Sequence, residues 1–544
     1  VYDKRTGQEK QYYVGASNIY GHNPKDLKFR FQRVAPIHVS PHNPDVVYHG
    51  SQYLHKTTDD GKTWEIISPD LTAFEPDKQV ISGEPITRDV TGEEYYSTIY
   101  EINESKASPG LIWVGANDGP VHVTRDGGKS WSNVTPKIDK GGRVDCIEPS
   151  PHREGKAYVA ILRYQLGDWK PYLFKTVDFG ATWTPITNGI PSDQPTRVIR
   201  EDPAKEGVLY AGTEFGLFIS YDDGANWSSF QQNLPATPIT DMKVFRNDLI
   251  VSTMGRGFYI LDNVTPLHSL VAIKTKPAHL FKPLDAYRFR YSYNGDGKYP
   301  EYPDPGVTID YYLKDKLDTD VTLEILDSQG TVISSFTSAA KPKADKGTTD
   351  MSTGFFSKGG KPGLPKNIGI NRFRWDMTHM GAWSADARRS FSNGPMVAPG
   401  TYTAKLTAGS SVFSENFNVL PDPRVLENGI SLQDIQAQEK LALQVRELLS
   451  SVNHFDEDIK NARKALEGNT SSKAKKKDTL LKAIQEQVVT SEGIYMQPML
   501  IDQVRYLSFM LNRADQLPGK DAYERFEELG ALHKALKAEY DGIR

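Results

Sequence analysis

The sequence predicts a mainly β chain in three successive parts, and three observations carry that reading. A pattern with a fixed Asp, Gly and Trp occurs four times between Thr57 and Trp227. Short apolar runs punctuated by Gly- and Pro-bearing turns continue as far as Pro421, and after about residue 280 they alternate with period 2. From Ser431 onward the apolar period becomes helical. The predicted parts are repeated small sheets over residues 1–265, a β-sandwich over 280–421 and an α-helical region over 428–544.

The repeated pattern reads (S/T)xDxGxxW. Its copies are Thr57-x-Asp59-x-Gly61-x-x-Trp64, Thr124-x-Asp126-x-Gly128-x-x-Trp131, Thr176-x-Asp178-x-Gly180-x-x-Trp183 and Ser220-x-Asp222-x-Gly224-x-x-Trp227. The hydroxyl and the carboxylate can tie down amides of a tight turn. The glycine permits φ > 0, and the tryptophan plugs the turn into an apolar layer. The motif resembles the Asp-box, or BNR repeat, of sialidase-like and sortilin-like β-propellers. On that resemblance Asp59, Asp126, Asp178 and Asp222 are structural staples and poor catalytic candidates.

The last two intervals between boxes suit a four-stranded blade, and the first suits a blade with an insertion. Around each box a proline turn leads to a short apolar strand: Val46-Val47-Tyr48, Leu111-Ile112-Trp113, Ala157-Tyr158-Val159 and Val208-Leu209-Tyr210. A fifth blade, Ile239 to Asp262, has three strands and no box, and residues 1–30 hold at most a blade remnant at Gln11–Gly15. Propellers close by radial repetition, so the expected ring is incomplete and is completed by upstream residues or a partner chain. The start at Val1-Tyr2-Asp3 reads as a processed or truncated product.

Ile67-Ser68-Pro69-Asp70-Leu71-Thr72, Ala211-Gly212-Thr213-Glu214-Phe215-Gly216 and Gly255-Arg256-Gly257-Phe258-Tyr259-Ile260-Leu261-Asp262 sharpen the resemblance. They are similar to the C-terminal half of a large bacterial family of BNR, sortilin N-terminal-like proteins that carry a glycosyl-hydrolase name. The family's last motif has a His where this chain has Met254. The resemblance implies a propeller and a secreted, periplasmic or cell-envelope setting in a bacterium, not hydrolysis as such.

After the propeller, Tyr287–Tyr291, Val307–Leu313, Val321–Leu326, Asn371–Trp375 and Gly400–Leu406 predict a sandwich of immunoglobulin or fibronectin type. Residues 340–367 read as a mobile loop, and Asn294-Gly295-Asp296-Gly297 as a plain turn without the Glu a calcium loop needs. Ser431 with Asp434 signals a helix start, followed by an apolar stripe from Leu432 to Ile459. Further helices are expected through Leu480–Val488, after Pro498, and from Asp521 to Tyr540.

Composition narrows the function. Net charge is −4 with no strongly basic domain, which excludes a nucleic-acid partner. The single cysteine, Cys146, excludes an intrachain disulfide, and no run approaches the roughly 18–20 apolar residues of a membrane span. No HExxH, P-loop, GxSxG or sialidase arginine signature is present, and prolines interrupt His38, His42 and His49, so neither a metal nor a cofactor is expected.

Loops of a four-stranded blade alternate faces. The boxes occupy third-to-fourth-strand turns, so the second-to-third-strand turns and the inter-blade links share the opposite rim. That rim carries Gln52, Tyr53, Asn117, Asp118, Arg163, Gln165, Asp168, Trp169, Glu214 and Arg256, with Arg33, Glu93, Glu94, Tyr95, Tyr96, Arg143, Asp145, Arg197 and Asp241 on the links. Tyr53, Asn117, Asp118, Arg163, Asp168, Trp169, Glu214 and Arg256 are the candidate ligand-binding residues for a glycan or polypeptide. The favoured function is a non-catalytic extracytoplasmic recognition or scaffold protein. The alternative is a glycoside hydrolase drawing a carboxylate pair from Glu94, Asp118, Asp168 and Glu214. A single-propeller assembly factor, of the kind that serves photosystems, is a third reading, which the added sandwich and helices fit poorly.

Overall fold

The computed structural model describes residues 2–92, 94–139, 141–290, 305–339, 363–386, 390–392, 394–493 and 495–543. The chain divides into two compact units, Val1–Val271 and Ala272–Arg544. Glu93, the Asn294–Gly297 turn and residues 340–362 of the expected mobile loop lie outside the described residues.

The first unit is a series of small antiparallel meanders, each a propeller blade. Blade 1 is Ile37–Val39, Val47–Gly50, Leu54–Thr57 and Glu65–Ile66; blade 2 is Ile99–Glu104, Ile112–Ala116, Val121–Thr124 and Ser132–Asn133. Blade 3 is Arg143–Pro149, Ala157–Leu162, Leu173–Thr176 and Thr184–Pro185; blade 4 is Thr196–Glu201, Leu209–Thr213, Leu217–Ser220 and Ser228–Ser229. Blade 5 has three strands, Ile239–Phe245, Asp248–Thr253 and Phe258–Leu261. The first strands of successive blades pack on one another, and apolar second and third strands fill the layers between blades.

Each box builds the same turn. In blade 4, Ser220 Oγ donates to Asp222 at 2.8 Å and accepts from Gly224 N at 3.0 Å, while Asp222 accepts from Asn226 N at 2.8 Å. The tryptophan then reaches backward. Trp131 Nε1 donates to Ile67 O at 2.9 Å, Trp183 to Val134 O at 2.6 Å and Trp227 to Ile186 O at 2.6 Å, each carbonyl belonging to the residue that follows the preceding blade's last strand. The box glycine sits at φ 97 in Gly128 and 86 in Gly224, and a Cβ there would meet that same preceding segment, Ile67 or Ile186. The boxes are therefore inter-blade bolts as well as turns.

Trp64, in the first box, breaks the rule: its Nε1 is buried without a partner. At the other end, the face of blade 5 that corresponds to the covered face of blade 4 exposes Phe245, Phe258 and Ile260. The N-terminal remnant differs from expectation, since the paired strands are Tyr2–Asp3 and Gln8–Glu9 rather than Gln11–Gly15. Tyr12 nevertheless stands over Gly61, where the later boxes have a preceding-blade residue.

The second unit has two sheets around one apolar core that includes Trp375, Phe373 and Phe417. One holds Ala278–Leu280, Val307–Leu313 and Gly369–Trp375; the other holds Ala286–Tyr287, Ser411–Leu420, Gly400–Ala408, Val321–Leu326 and Val332–Thr337, in those spatial orders. Four longer helices follow, Leu432–Lys464, Ser472–Val488, Leu500–Leu511 and Lys520–Ile543, with Val445, Val452, Ile484, Val504 and Leu536 in their shared core. Ser431 and Asp434 form a reciprocal cap, as the sequence predicts. Glu439 accepts from His379 Nε2 at 2.7 Å and from Ala398 N at 3.0 Å, so the first of these helices is tied to the sheets within this unit. No helix among the described residues is long and apolar enough to cross a membrane.

Candidate functional site

The innermost strands of blades 2 to 5 share one irregularity. Each carries a bulge near its start, at Tyr100, Asp145, Arg197 and Thr240, where the register to the second strand slips by one residue. A bulge re-aims a side chain that regular alternation would send elsewhere. The backbone device repeats, whereas the side chains on it do not, so the inner end of each blade offers different chemistry.

Three of these side chains join a ladder across blades 2, 3 and 4. Arg143 lies over the Tyr100 ring at 4.7 Å and forms a two-pronged pair with Asp145, whose Oδ2 takes Arg143 Nη2 at 2.9 Å. Arg197 Nη1 stands 3.8 Å from Asp145 Oδ2, Arg197 Nε pairs with Glu214, and its guanidinium lies over Tyr164 at 5.9 Å. One step further along the same strands, Arg200 binds Asp241 at 2.7 Å, Glu148 at 3.3 Å and the carbonyl of Met242 at 2.9 Å. Buried Cys146 accepts from this arginine at 2.8 Å.

Burial pushes the carboxyls of Asp145 and Glu148 upward, opposed by Arg143 and Arg200 respectively. Glu101 is the exception to the pairing: its side chain has no hydrogen bond or ion pair among the described residues. Burial raises it to about 8, Arg200 opposes, and Asp241, Glu148 and Asp145 add like charge.

The candidate ligand-binding residues separate into three groups. Glu214 belongs to the ladder, through Arg197. Arg163, Asp168 and Asn117 are braces. Arg163 pairs with Asp168 at 3.1 Å and donates to the carbonyls of Asp139 and Gly141; Asp168 also takes the Tyr172 hydroxyl at 2.6 Å. Asn117 links Thr98 N and Tyr95 O. Tyr53 packs edge-on against Phe29. Trp169 and Arg256 are exposed on their turns.

The four carboxylates named as hydrolytic candidates do not converge on shared partners. Glu94 is exposed and closes its own turn through Thr91 at 2.9 and 2.7 Å. Asp118 is buried and accepts from Ala73 N at 3.0 Å and Phe74 N at 3.2 Å. Asp168 and Glu214 are neutralised by different arginines. The raised carboxyl in the inner row is instead Glu101, which sequence reasoning missed, together with Tyr100, Tyr164 and Glu148. Arg200 joins the inner row as well. After the bulge at Tyr100, Glu101 keeps the same side as Asn103, which donates to Ile147 O of blade 3; which residues of the next blades it meets there leaves no sequence signature.

No protein-family profile matches the chain, and no curated protein matches it. Solved structures do. The GH74 xyloglucanase from Xanthomonas campestris is similar at 19% identity over 42% of this chain and 36% of its own, with a TM-score of 0.34. YCF48 bound to D1 peptide is similar at 16% identity over 31% of this chain and 50% of its own, with a TM-score of 0.25. The GH74 enzyme of Niastella koreensis reaches 14% identity over 70% of this chain and 56% of its own, again with a TM-score of 0.25. The chain thus spans about a third of the xyloglucanase. The propeller assignment stands on the blade topology described above.

Proposed function

We propose that this is a non-catalytic recognition protein of the Asp-box, sortilin-like propeller class, acting outside the cytoplasm, whose rim opposite the boxes binds a glycan or polypeptide. The observation that carries this is an exposed apolar series on three consecutive second-to-third-strand turns. Trp169 in blade 3 is 50% exposed, Phe215 in blade 4 46% and Met254 in blade 5 55%, with Arg256 exposed beside the last. Ring faces and a cation over a floor of paired charges can stack and orient a polar ligand without acting on it. The two-sheet module, read as an immunoglobulin-type sandwich, and the helices would attach the propeller to a larger assembly.

A glycan and peptide screen on the full chain tests this, with product analysis of every hit. On any ligand found, Trp169→Ala and Arg256→Ala are expected to weaken binding about 10-fold or more, in keeping with the loss of one aromatic or arginine contact. Asp126→Ala, in a box, is expected to leave affinity unchanged. A ligand lost with Asp126→Ala on folded protein, and kept with the other two, would sink the assignment of the rim.

The hydrolase reading keeps one observation in its favour, the raised carboxyl of Glu101 beside Asp145, Glu148 and Asp241. Turnover of a polysaccharide that Glu101→Gln abolishes would replace the recognition reading.

The uncovered faces are proposed to be covered by a further blade, from upstream residues or a partner chain. Trp64 Nε1 lacks the carbonyl its three counterparts have, and Phe258 is 79% exposed on the face that other blades cover. Hydrogen exchange in Phe258–Leu261 is expected to be fast in the isolated chain and slowed once the covering blade is present. Slow exchange in dilute monomer would count against it.

A further inference from the structure

Blades 2 to 4 each turn one pair of opposed residues, from the second and third strands, toward the blade before. The pairs are Val114–His122, Val159–Phe174 and Ala211–Phe218. Val114 shares a core with Tyr48 and Leu54 of blade 1, and Val159 and Phe174 share one with Trp113 and Val121 of blade 2. Ala211 and Phe218 do so with Tyr158 and Leu173 of blade 3. At the same two positions blade 1 has His49 and His55, directly opposite one another, with no blade before them among the described residues.

Residues 28–32 take the missing layer's place as a strap. The Phe31 ring is stacked on His49 at 5.3 Å, and the Phe29 ring meets His55 edge-on at 5.0 Å. Between the two rings Arg30 fastens the strap. Its amide donates to Gln52 Oε1 at 2.8 Å, and its guanidinium reaches Asp70 at 2.8 Å and Ser97 O at 2.9 Å. Gln52 Nε2 in turn donates to Lys28 O at 2.9 Å.

His55 is 1% exposed, and its Nε2 is hydrogen-bonded to Ser51 Oγ at 2.8 Å. His49 Nδ1 donates to Pro36 O at 3.1 Å, and its ring lies 5.8 Å from that of Trp64. No carboxylate among the described residues acts on either imidazole. On the strap, Lys28 lies over Phe29 at 5.1 Å, Arg30 is committed to Asp70, and Arg33 is exposed beyond the rings. In the strands, Lys56 and Glu65 oppose one another and alternate to the sheet's other face, and the box's Asp59 is closed on Thr57 and Thr63. Burial holds both imidazoles below their ordinary value, His55 at about 4 with His49 adding like charge. A stacked phenyl face can favour one imidazolium, but two cations directly opposed in a strand pair repel.

We propose that the histidine pair is an acid-sensitive latch: protonation of His49 and His55 lifts the Phe29–Phe31 strap and bares the head of blade 1. The latch rests on blade 1 alone and is independent of what the rim binds. In the released strap each histidine returns to its ordinary value of 6.5, so the latch holds above that pH and weakens as pH falls toward 4. His55 alone shifts the balance between closed and released strap by about 30-fold between pH 8 and pH 5.

Hydrogen exchange of residues 24–36 in the full chain, corrected for the intrinsic effect of pH, tests this at those two values. Protection of that segment is expected to fall by about 10-fold or more at pH 5, while Leu209–Thr213 in blade 4 keeps its own. Combining His49→Val with His55→Phe, which installs the pair that blade 3 carries, should hold the strap at both values. Should that double variant fail to fold, His55→Phe alone should reduce the loss. Equal protection at pH 8 and pH 5 in the wild-type chain, or a loss that either variant leaves undiminished, would overturn the latch.

Discussion

Replacing Asp515 with alanine is expected to destabilise the second unit by about 3–5 kcal/mol, the cost of stranding a buried charge. Asp515 receives both Arg288 and Arg290, and Arg288 is 1% exposed. Each arginine has one further anchor, Arg288 Nε on Val397 O at 2.7 Å and Arg290 Nη1 on Asn512 O at 2.6 Å. The triad thus connects the start of the second unit to the loop that joins its last two helices. Burial pulls the Arg288 guanidinium down, but arginine does not give up its proton in a protein, so losing the carboxylate leaves an unpaired cation. Calorimetry of the full chain should show the second unit's transition lowered while the first unit's stays in place. A loss below about 1 kcal/mol would mean that water reaches Arg288 freely.

Glu101→Gln is expected to stabilise the first unit at alkaline pH and to leave it unchanged in acid. The sign follows from proton binding. The native carboxyl, raised to about 8, holds a proton between the ordinary glutamate range and that value, whereas the unfolded chain does not. Native stability from this group is complete below the unfolded value and is lost as pH rises toward 8. Above that, the wild-type chain carries a charge that burial and three carboxylates oppose, and glutamine does not. The difference at pH 9 should be about 2 kcal/mol after allowance for partial exposure, and near zero at pH 4. Urea midpoints for both chains across that range measure it. A constant offset at every pH would show that packing, not titration, separates them.

The box aspartates run the opposite way. Hydrogen bonds to the Thr63 amide and hydroxyl hold Asp59 below its ordinary value, and Asp178 is held down in the same manner by Thr182. Their contribution is present at neutral pH and disappears only in acid below the ordinary aspartate range.

The parts that local chemistry determines were legible. A hydroxyl, a carboxylate, a glycine and a tryptophan at set spacing specify the box turn without reference to the rest of the chain. Ser431 and Asp434 likewise specify a helix start. The inner row was legible only in fragments. Arg143, Asp145 and Arg197 stand out as charged residues near predicted links, yet which arginine meets which carboxylate depends on the angle between blades. Arg200 meets Glu148 and Asp241 of the neighbouring blades, with Glu101 unpaired beside them, an arrangement set by how the blades stack.

The backward reach of the box tryptophans gives the propeller a polarity. Each of Trp131, Trp183 and Trp227 is satisfied by a carbonyl of the blade before it, and none contributes such a bond to the blade after it. Along a row of nearest-neighbour units, that asymmetry makes damage directional. Melting one blade deprives its successor of an indole anchor, whereas melting the successor leaves the earlier blade's anchor intact. Cooperativity is thus handed forward, and the unit that sets the strength of the whole row is the one at its head, where Trp64 waits for a carbonyl.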